Sequence, residues 1–448
     1  MAPPIVALAM LLAPASALRA VKVGLVGGGT VGGGIVEILK RKDGFVKDKL
    51  GVDLQVAKVV VGNVNKDRDW EAPPGCVISG DPNDVLDDAG IDIVVEVMGG
   101  TTLAKEVVTK AIKAGKHVVT ANKALIAADL PELESLLDAQ PGVQFGYEAA
   151  VCGGIPIIHA LQRDFIGDDI TQLSGIINGC TNYMLSSMSA SGKSYAQALD
   201  EASELGYAEA DPTLDVGGFD ARSKLKIMMK LAFGLDIEED NIPCRGITDV
   251  TATDFEYAGL LGGTVKLLGI AKIDDDDSSR ISAFVSPVFV PDSSTLAGIN
   301  GATNALQIES ASLQSSTFVG QGAGRFPTAN SCVSDILAIA SGASGSPPFP
   351  KPADPKLKFV NSYDSAFYVR IRFRDETGII AKLGEIFAKN GVSIYSILQN
   401  PIKDPKDSYF VVVTDEVDVS AVKASCVALE AADWCIGDTF YMPVLGKL

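Results

Sequence analysis

The sequence predicts an α/β protein in three parts: an N-terminal doubly wound parallel sheet, an α+β middle domain and a ferredoxin-like C-terminal domain. Near the N-terminus a glycine-rich turn joins an apolar strand to a helix, and strands and helices then alternate. The middle of the chain loses that alternation. After a Ser/Gly/Pro-rich stretch the order becomes βαββαβ. With 448 residues, the chain is long enough for several hydrophobic cores.

The glycine-rich turn predicts a dinucleotide-binding site. Residues 21–26 form an apolar strand, Gly27-Gly28-Gly29-Thr30-Val31-Gly32 follows, and apolar residues then recur at helical spacing. Glycines let the backbone turn tightly and approach a pyrophosphate, whose charge faces the helix N-terminus. Gly27, Gly29 and Gly32 are therefore candidate cofactor contacts. A glycine-rich turn without a ligand is the alternative.

Two later strands place further candidates at the same sheet edge. Residues 91–96 precede Gly99-Gly100-Thr101, which we expect to cover the cofactor, and residues 117–120 end just before Lys123. Ligands bind outside the carboxyl ends of strands in open parallel sheets. Thr101 and Lys123 are therefore candidate ligand contacts. An ordinary loop lysine is the alternative for Lys123.

The residues after the second strand leave the choice between NAD and NADP open. That strand ends in Gly62-Asn63, without the acid that often binds the ribose 2′-hydroxyl of NAD. Lys66 and Arg68 follow and are suited to a 2′-phosphate, which favours NADP slightly.

An acid-rich stretch between two predicted helices is the candidate catalytic site. Asp220 and Lys224 are four residues apart and share one helix face, and Glu209 and Asp215 precede them. Carboxylates suit a substrate ammonium, and a lysine can move a proton. A solvated surface ion pair is the alternative.

Composition excludes several classes of function. The formal net charge is −18 and no basic run occurs, so a nucleic-acid partner is not expected. The seven cysteines form no Cys-x-x-Cys motif, which argues against a zinc site or a disulfide framework and favours a reducing compartment. The two histidines offer few candidates for a proton relay.

The predicted boundaries are as follows. Residues 1–20 are apolar and are predicted to be a leader or a disordered tail. The localisation stays open: the reducing compartment indicated by the cysteines is the cytoplasm, or a plastid if these residues belong to a targeting leader. No other segment has the length and apolar character to span a membrane. The domains are a Rossmann-type domain at 21–147, a catalytic and dimerisation domain at 148–340, a linker at 341–358 and a C-terminal domain at 363–448.

Six motifs in order give the chain a resemblance to a known family. They are Gly27 to Gly32, Thr120 to Lys123, Glu148 to Pro156, Gly175 to Tyr183, Gly206 to Lys224, and Gly322 to Thr328. On these motifs the sequence resembles homoserine dehydrogenase of the single-activity form with a C-terminal ACT domain. Gly62 departs from the arginine common in relatives, and Cys180 from a common threonine.

The resemblance implies an activity and a role for each residue. The family interconverts L-homoserine and L-aspartate 4-semialdehyde with NAD or NADP, in threonine, methionine and isoleucine biosynthesis. Lys224 is similar to its proton donor, and Lys123 to a lysine shared by substrate and cofactor. The other matches are substrate-binding Glu209, Asp215 and Asp220, cofactor-binding Thr30, Val31 and Gly324, and sodium-binding backbone oxygens of Glu148, Val151, Gly153 and Ile155.

The resemblance also implies regulation and assembly. The C-terminal domain would bind threonine as a feedback effector, and the protein would be a homodimer or homotetramer. Cutting the chain within the linker should leave an active enzyme that ignores threonine. Two other functions stay open: an inactive nucleotide-fold amino-acid sensor, and a dehydrogenase of another small hydroxy or amino acid.

Overall fold

The structure is a computed structural model that describes residues 18–208, 210–343, 347–351 and 357–446. The first strands are β1 Arg19–Val26, β2 Val52–Val60, β3 Val77–Ser79, β4 Ile93–Glu96, β5 His117–Thr120 and β6 Phe145–Gly146. The first helices are α1 Thr30–Phe45, α2 Asn83–Leu86, α3 Thr102–Lys113 and α4 Lys123–Asp138. The six strands form one parallel sheet in the order β3-β2-β1-β4-β5-β6, which confirms the doubly wound fold.

The N-terminal sheet is built on continuous apolar strands. In β1, the last four residues are buried because β2 and β4 pair with it on both sides. β1 begins at Arg19 rather than at residue 21, because Arg19 and Ala20 pair with Val52 and Asp53. Most of the predicted leader, residues 1–17, lies outside the described residues.

The middle part is an α+β unit around a second six-stranded sheet. Its strands are β7 Ile170–Ile176, β8 Gly263–Ile273, β9 Arg280–Pro291, β10 Thr303–Ser310, β11 Gln314–Gln321 and β12 Lys358–Val360. Its helices are α5 Ile157–His159, α6 Gly179–Ser191, α7 Tyr195–Glu204, α8 Thr213–Val216, α9 Phe219–Phe233, α10 Ala252–Leu260 and α11 Arg325–Ala340. The sheet order is β11-β10-β7-β8-β9-β12. The β10–β11 hairpin was not predicted, because β11 is polar and largely exposed.

The C-terminal module has the predicted βαββαβ order. Its strands are β13 Asp364–Ser365, β14 Phe367–Phe373, β15 Ile394–Gln399, β16 Ser408–Thr414, β17 Val417–Asp418 and β18 Phe440–Pro443, and its helices are α12 Ile379–Lys389 and α13 Val419–Glu430. The main sheet runs β15-β16-β14-β18, with every neighbouring pair antiparallel. The ferredoxin-like prediction is confirmed.

The segment predicted as a linker is packed onto the protein along part of its length. The ring of Phe349 lies 5.3 Å from that of Tyr147, whose hydroxyl donates to the carbonyl of Pro348. Further on, β12 pairs in parallel with β9 of the middle sheet. The described parts of 341–358 are therefore not a free spacer. The exact domain boundaries remain predictions.

A buried ion pair joins the C-terminal module to the middle part. The guanidinium of Arg370 on β14 binds the carboxylate of Asp254 on α10, and Asp254 is fully buried. The hydroxyl of Tyr368 donates to the same carboxylate at 3.1 Å. The hydroxyl of Tyr257, one turn further along α10, donates to the carbonyl of Tyr409 at 2.9 Å. The module is therefore fastened to α10.

In the part of the chain that the structure describes, no helix combines the length and apolar character needed to cross a bilayer.

Candidate active site

Asp220 and Lys224 form a buried ion pair. Both lie on α9, one turn apart, and Lys224 Nζ is 2.7 Å from Asp220 Oδ2. The two side chains are only 9% and 10% exposed, so the pair is not the solvated surface pair considered as the alternative. Lys224 Nζ also donates to the carbonyl oxygen of Ile177 at 2.8 Å. A desolvated pair interacts far more strongly than an exposed one.

Lys123 reaches the same carboxylate from the other domain. Its Nζ lies 3.0 Å from Asp220 Oδ1, and its side chain is 40% exposed. Lys123 begins α4 directly after β5, and Asn122 caps that helix by accepting from the backbone NH of Leu125 at 3.1 Å. The sheet edge of the first domain thus faces α9 of the second.

Asn178 brings the predicted acids together. Its amide Nδ2 donates to Asp215 Oδ1 at 2.7 Å and to Asp220 Oδ2 at 2.8 Å. Its Oδ1 accepts from the backbone NH of Thr181 at 2.9 Å, which caps α6. The motif containing Asn178 was identified from the sequence, but its role was not. The available signal for this role was the position of Asn178 directly before a helix, where asparagine is a preferred capping residue. Glu209 lies outside the described residues.

Opposing charges set the ionisation of the pair. Burial alone would raise the pKa of Asp220, but Lys224 and Lys123 hold that pKa well below its usual range. Burial opposes the Lys224 ammonium, yet the charge and hydrogen bond of Asp220 raise its pKa above the ordinary value. In the free site Asp220 therefore outweighs the desolvation of Lys224. Burial also raises the pKa of Asp215.

The first glycine turn has the predicted tight geometry. Gly27 has φ +114°, and a Cβ there would lie 2.6 Å from the carbonyl oxygen of Val97. A Cβ on Gly32 would lie 2.0 Å from the carbonyl oxygen of Gly27. Gly29 immediately precedes α1, which begins at Thr30 and continues through Val31. Only glycine fits at 27 and 32, and the free N-terminus of α1 suits a phosphate.

Two other turns lie around this one. Gly99 and Gly100 both have positive φ, and Thr101 then immediately precedes α3. The carbonyl of Gly100 accepts from Asn122 Nδ2 at 2.6 Å, which joins this turn to the residue before Lys123. Gly324, with φ +117°, immediately precedes α11, and α11 packs against α1. These positions are consistent with the predicted cofactor contacts.

A buried carboxylate supports the sheet edge and was not predicted. Glu96, at the end of β4, is fully buried and accepts from the hydroxyl of Thr120 at 2.7 Å and the backbone NH of Met98 at 2.9 Å. Burial raises its pKa. The Thr120 hydroxyl in turn accepts from the backbone NH of Asn122 at 3.0 Å. The only signal was an acid and a threonine at the ends of neighbouring strands.

A second unpredicted cluster joins the predicted sodium segment to α11. His159 Nε2 lies 2.8 Å from Asp335 Oδ1, and its Nδ1 lies 3.1 Å from Glu148 Oε2. The backbone NH of Glu148 donates to Asp335 at 2.9 Å. Burial raises the pKa of Glu148 to about 7, and the hydrogen bond to Asp335 raises that of His159. These three side chains fix the start of the segment.

The predicted sodium ligands lie in a strained, closely packed turn. Cys152 and Gly153 have positive φ angles of 53° and 46°, and a Cβ on Gly153 would lie 2.6 Å from the carbonyl oxygen of Gly322. The Gly153 carbonyl accepts from the Ser331 hydroxyl at 2.6 Å, and that of Ile155 from the backbone NH of Ile157 at 2.8 Å. Each carbonyl has a second lone pair, so the donor chemistry fits a hard cation.

Asn304 is a further unpredicted residue beneath the second glycine cluster. It is 1% exposed, and its amide lies beside the thiol of Cys152. A Cβ on Gly322 would lie 2.1 Å from its Nδ2, so the amide packs directly under that glycine. No motif indicated this position.

Three family profiles match the chain in the order in which these features occur. They are the homoserine dehydrogenase NAD-binding domain at residues 27–147, homoserine dehydrogenase at 156–337 and the ACT domain at 367–425. The homoserine dehydrogenase of Pseudomonas aeruginosa is 37% identical over 430 residues, 94% of this chain and 98% of that protein. That of Bacillus subtilis is 35% identical over 422 residues, 92% of this chain and 96% of that protein.

The chain belongs to the homoserine dehydrogenase family. Solved structures agree: a homoserine dehydrogenase from Thiobacillus denitrificans aligns with a TM-score of 0.88 at 34% identity, covering 96% of this chain and 99% of that chain. A hyperthermophilic archaeal homoserine dehydrogenase in complex with NADPH aligns with a TM-score of 0.60 at 25% identity, covering 73% and 100%. The protein is thus a homoserine dehydrogenase with an ACT domain and an NAD(P)-binding domain. Neither alternative function gains support.

Proposed function

We propose that this homoserine dehydrogenase binds its amino-acid substrate at Asp220 and moves the reacting proton with Lys224. The observation that carries the proposal is the shared carboxylate: Asp220 contacts Lys224 through one oxygen and Lys123 through the other. Because lysines from two domains contact one buried acid, the site offers charges of both signs to a zwitterionic substrate. Its ammonium takes a place beside the acids and its carboxylate a place beside a lysine.

The acids have distinct parts in this proposal. Asp220 and Asp215, held by Asn178, bind the substrate ammonium, and Glu209 completes the set. Substrate binding draws the charge of Asp220 away from Lys224. The ammonium of Lys224 is then less stabilised, and its pKa falls toward the range useful for proton transfer.

Lys224 accounts for the proton that accompanies hydride transfer. When bound, NAD(P) exchanges a hydride with the substrate carbon. In the oxidation of homoserine, the neutral amine of Lys224 accepts the hydroxyl proton. In the reduction of the semialdehyde, its ammonium donates a proton to the carbonyl oxygen. Since Asp220 keeps Lys224 protonated in the free site, the enzyme is poised for reduction near neutral pH.

We infer that the enzyme uses both NAD and NADP and favours NADP modestly. Gly27, Gly29, Thr30, Val31 and Gly32 would hold the pyrophosphate, and Thr101, Lys123 and Gly324 would contact the rest of the cofactor. At the adenosine end, Lys66 and Arg68 supply positive charge. The guanidinium of Arg68 donates to the carbonyls of Asn63 at 2.5 Å and Lys66 at 2.7 Å, which folds the loop after β2 around it.

We also propose a structural sodium ion on the carbonyl oxygens of Glu148, Val151, Gly153 and Ile155. Support comes from the close packing of this turn on Gly322 and from the two carbonyls whose remaining lone pairs suit a hard cation. The ion would take no part in proton transfer. It would hold the turn between the His159 cluster and the second glycine cluster.

The ACT domain is proposed to bind threonine and to report it through α10. The buried Arg370–Asp254 pair fastens the domain to α10, and α10 packs against α6, whose cap Asn178 holds Asp220. A homodimer or homotetramer is proposed as the assembly. The edge strand β15, with Tyr395 61% and Ile397 37% exposed, supports it.

One assay tests the proposed chemistry. Purified protein is given L-homoserine with NAD or NADP, and reduced cofactor is followed by absorbance. We expect turnover with both cofactors, and with L-homoserine far above L-threonine or L-serine as substrate. Turnover of another hydroxy acid at a higher kcat/KM, or none with homoserine, contradicts the proposal.

A further inference from the structure

The loop between β2 and β3, residues 61–76, is held by the catalytic half of the protein. Arg325, the first residue of α11, binds Asp69 of this loop with one guanidinium nitrogen and Glu37 of α1 at 2.7 Å with the other. Arg325 is 20% exposed. A residue of the middle domain thus reaches across α1 to the loop that follows the second strand.

Trp70 fixes the same loop to the phosphate turn. Its indole Nε1 donates to the carbonyl oxygen of Gly28 at 3.1 Å, and the side chain is buried. A Cβ on Gly33 would lie 2.4 Å from Trp70 Cδ1 and 3.0 Å from Arg325 Nη2. Because Gly33 has no side chain, Trp70 and Arg325 can both lie against α1 at this position. The two contacts set the position of the loop relative to the glycine turn.

The loop lies where a dinucleotide cofactor presents its adenosine ribose. In doubly wound dinucleotide sites, an acid near the end of the second strand binds the ribose 2′-hydroxyl, and that acid disfavours a 2′-phosphate. This chain lacks an acid at Gly62-Asn63, but Asp69 belongs to the same loop. Its neighbour Arg68 donates to the carbonyl of Asn63 at 2.5 Å, which ties the chain next to Asp69 back to the residues that follow the strand.

We propose that Arg325 is a positioning residue that sets cofactor preference. By pairing with Asp69, it neutralises an acid of this loop and holds Lys66 and Arg68 in place for a 2′-phosphate. Freed from Arg325, Asp69 repels a 2′-phosphate and is available to a 2′-hydroxyl. The loss of Arg325 therefore weakens NADP binding more than NAD binding. The inference rests on the NAD(P)-dependent activity proposed above.

Trp70 provides a direct binding signal. The chain has two tryptophans, and Trp434 is buried in the core of the ACT domain. In a Trp434→Phe background, the fluorescence of Trp70 reports occupancy beside the phosphate turn. Dissociation constants for NADPH and NADH are measured for the parent, Arg325→Met, Asp69→Asn and the double variant. Steady-state KM for homoserine is measured in parallel. Arg325→Lys tests rescue, and Glu37→Gln removes the other partner of Arg325 as the matched control.

We expect Arg325→Met to raise the Kd for NADPH about tenfold, the scale of one charge-assisted hydrogen bond, and to change the Kd for NADH less than about twofold. Asp69→Asn, which alters an exposed side chain, should not weaken the binding of NADPH. Adding it to Arg325→Met should recover much of the NADPH affinity, because the unpaired acid is gone. The Kd of Arg325→Lys for NADPH should lie between those of the parent and Arg325→Met. The Kd of Glu37→Gln should be close to that of the parent.

The proposal is overturned if Arg325→Met raises the Kd for NADPH and the Kd for NADH equally. It is also overturned if the two substitutions change the free energy of NADPH binding additively in the double variant. If Arg325→Met does not fold, Asp69→Asn and Asp69→Lys decide. Tighter NADH binding or weaker NADPH binding in either variant contradicts the role given to Asp69. These failures are distinct from failure of the proposed function, which would show as absence of homoserine turnover in the parent enzyme.

Discussion

The ammonium of Lys123 lies 3.0 Å from Asp220 Oδ1, although the two residues belong to different domains. Lys123 is placed by the start of α4 at the edge of the parallel sheet, and Asp220 by the first turn of α9. The contact closes the space between the domains at the proposed meeting point of substrate and cofactor.

Asp220→Asn should reduce kcat/KM for homoserine about 10- to 100-fold, the scale of one charge-assisted hydrogen bond. Because Asp220 raises the pKa of Lys224, the variant should also lower that pKa. The ammonium is the form that donates in reduction, so the alkaline fall in semialdehyde reduction should begin at lower pH than in the parent. pH–rate profiles in both directions check this.

Asp240→Asn is the matched control for that variant. Asp240 is 93% exposed and pairs at 3.0 Å with Arg222 on the same helix α9. Its kinetics and pH profile should match those of the parent. An unshifted alkaline limb in Asp220→Asn would show that Asp220 does not govern Lys224.

Lys66→Ala should lower kcat/KM for NADP roughly two- to fivefold, as expected for an exposed ion pair. It should leave kcat/KM for NAD unchanged. The parent should use both cofactors. Steady-state kinetics with each cofactor decide. Complete refusal of either one by the parent enzyme would contradict the reading of Gly62 and Asn63 as neutral to the choice.

Arg370→Gln should abolish inhibition by threonine. In the parent, millimolar threonine should reduce the rate or change the oligomeric state, with a coupling of about 5- to 150-fold in affinity. Without Arg370, the ACT domain loses its charged contact with Asp254. Arg372→Gln is the control, because Arg372 lies on the same strand but pairs at 2.6 Å with Asp407 inside the module. A parent enzyme indifferent to threonine would refute the regulatory proposal.

The buried pair also changes the expectation for a truncated chain. Cutting within the predicted linker would leave Asp254 and the ring of Tyr257 uncovered, and β12 would be lost from the middle sheet. Arg370→Gln also leaves Asp254 without its counter-ion, but it keeps β12 and the Tyr257–Tyr409 contact in place. It is therefore a cleaner test of regulation than truncation.

Replacing sodium by N-methylglucamine at constant ionic strength should lower Tm by roughly 2 °C, because an ion that binds only the folded state stabilises it. Calorimetry in the two chlorides makes the comparison. Lithium and potassium at the same concentration serve as controls for size. The same Tm in sodium and in N-methylglucamine would contradict the proposed sodium site.

Local patterns in the sequence predicted much of the fold. The strand at 117–120 has the predicted ends, and the C-terminal module has the predicted βαββαβ order, because these segments carry regular apolar periods bounded by turn residues. The β10–β11 hairpin was missed because Gln314–Gln321 is polar and lies at a sheet edge. Its strand character comes from pairing with β10, which a local pattern does not record.

The site was predictable where its residues are close in sequence and not where they are distant. The i,i+4 spacing predicted the Asp220–Lys224 contact. Nothing local could place Asp335 against His159, 176 residues away, or Arg325 against Asp69, 256 residues away. The raised pKa of Lys224 could not be predicted from the sequence either, because burial lowers it, Asp220 raises it, and only the geometry decides between the two.

Lys226→Ala provides a matched control for the central claim. Lys226 is a second buried lysine on α9, and its Nζ donates to the carbonyl of Ala127 at 2.7 Å, away from Asp220. Its replacement should lower the Tm without removing the proton-transfer group. A loss of turnover caused by removing the Lys224 amine can then be separated from the general effect of removing a buried side chain from α9.

The kcat of Lys224→Ala tests the central claim most directly. The variant should melt as a folded protein and bind cofactor like the parent, but its kcat for homoserine oxidation should fall about 10²–10⁴-fold, as for loss of one general acid/base group. A Lys224→Ala enzyme that keeps near-full kcat would contradict the assignment of Lys224 as the group that moves the proton.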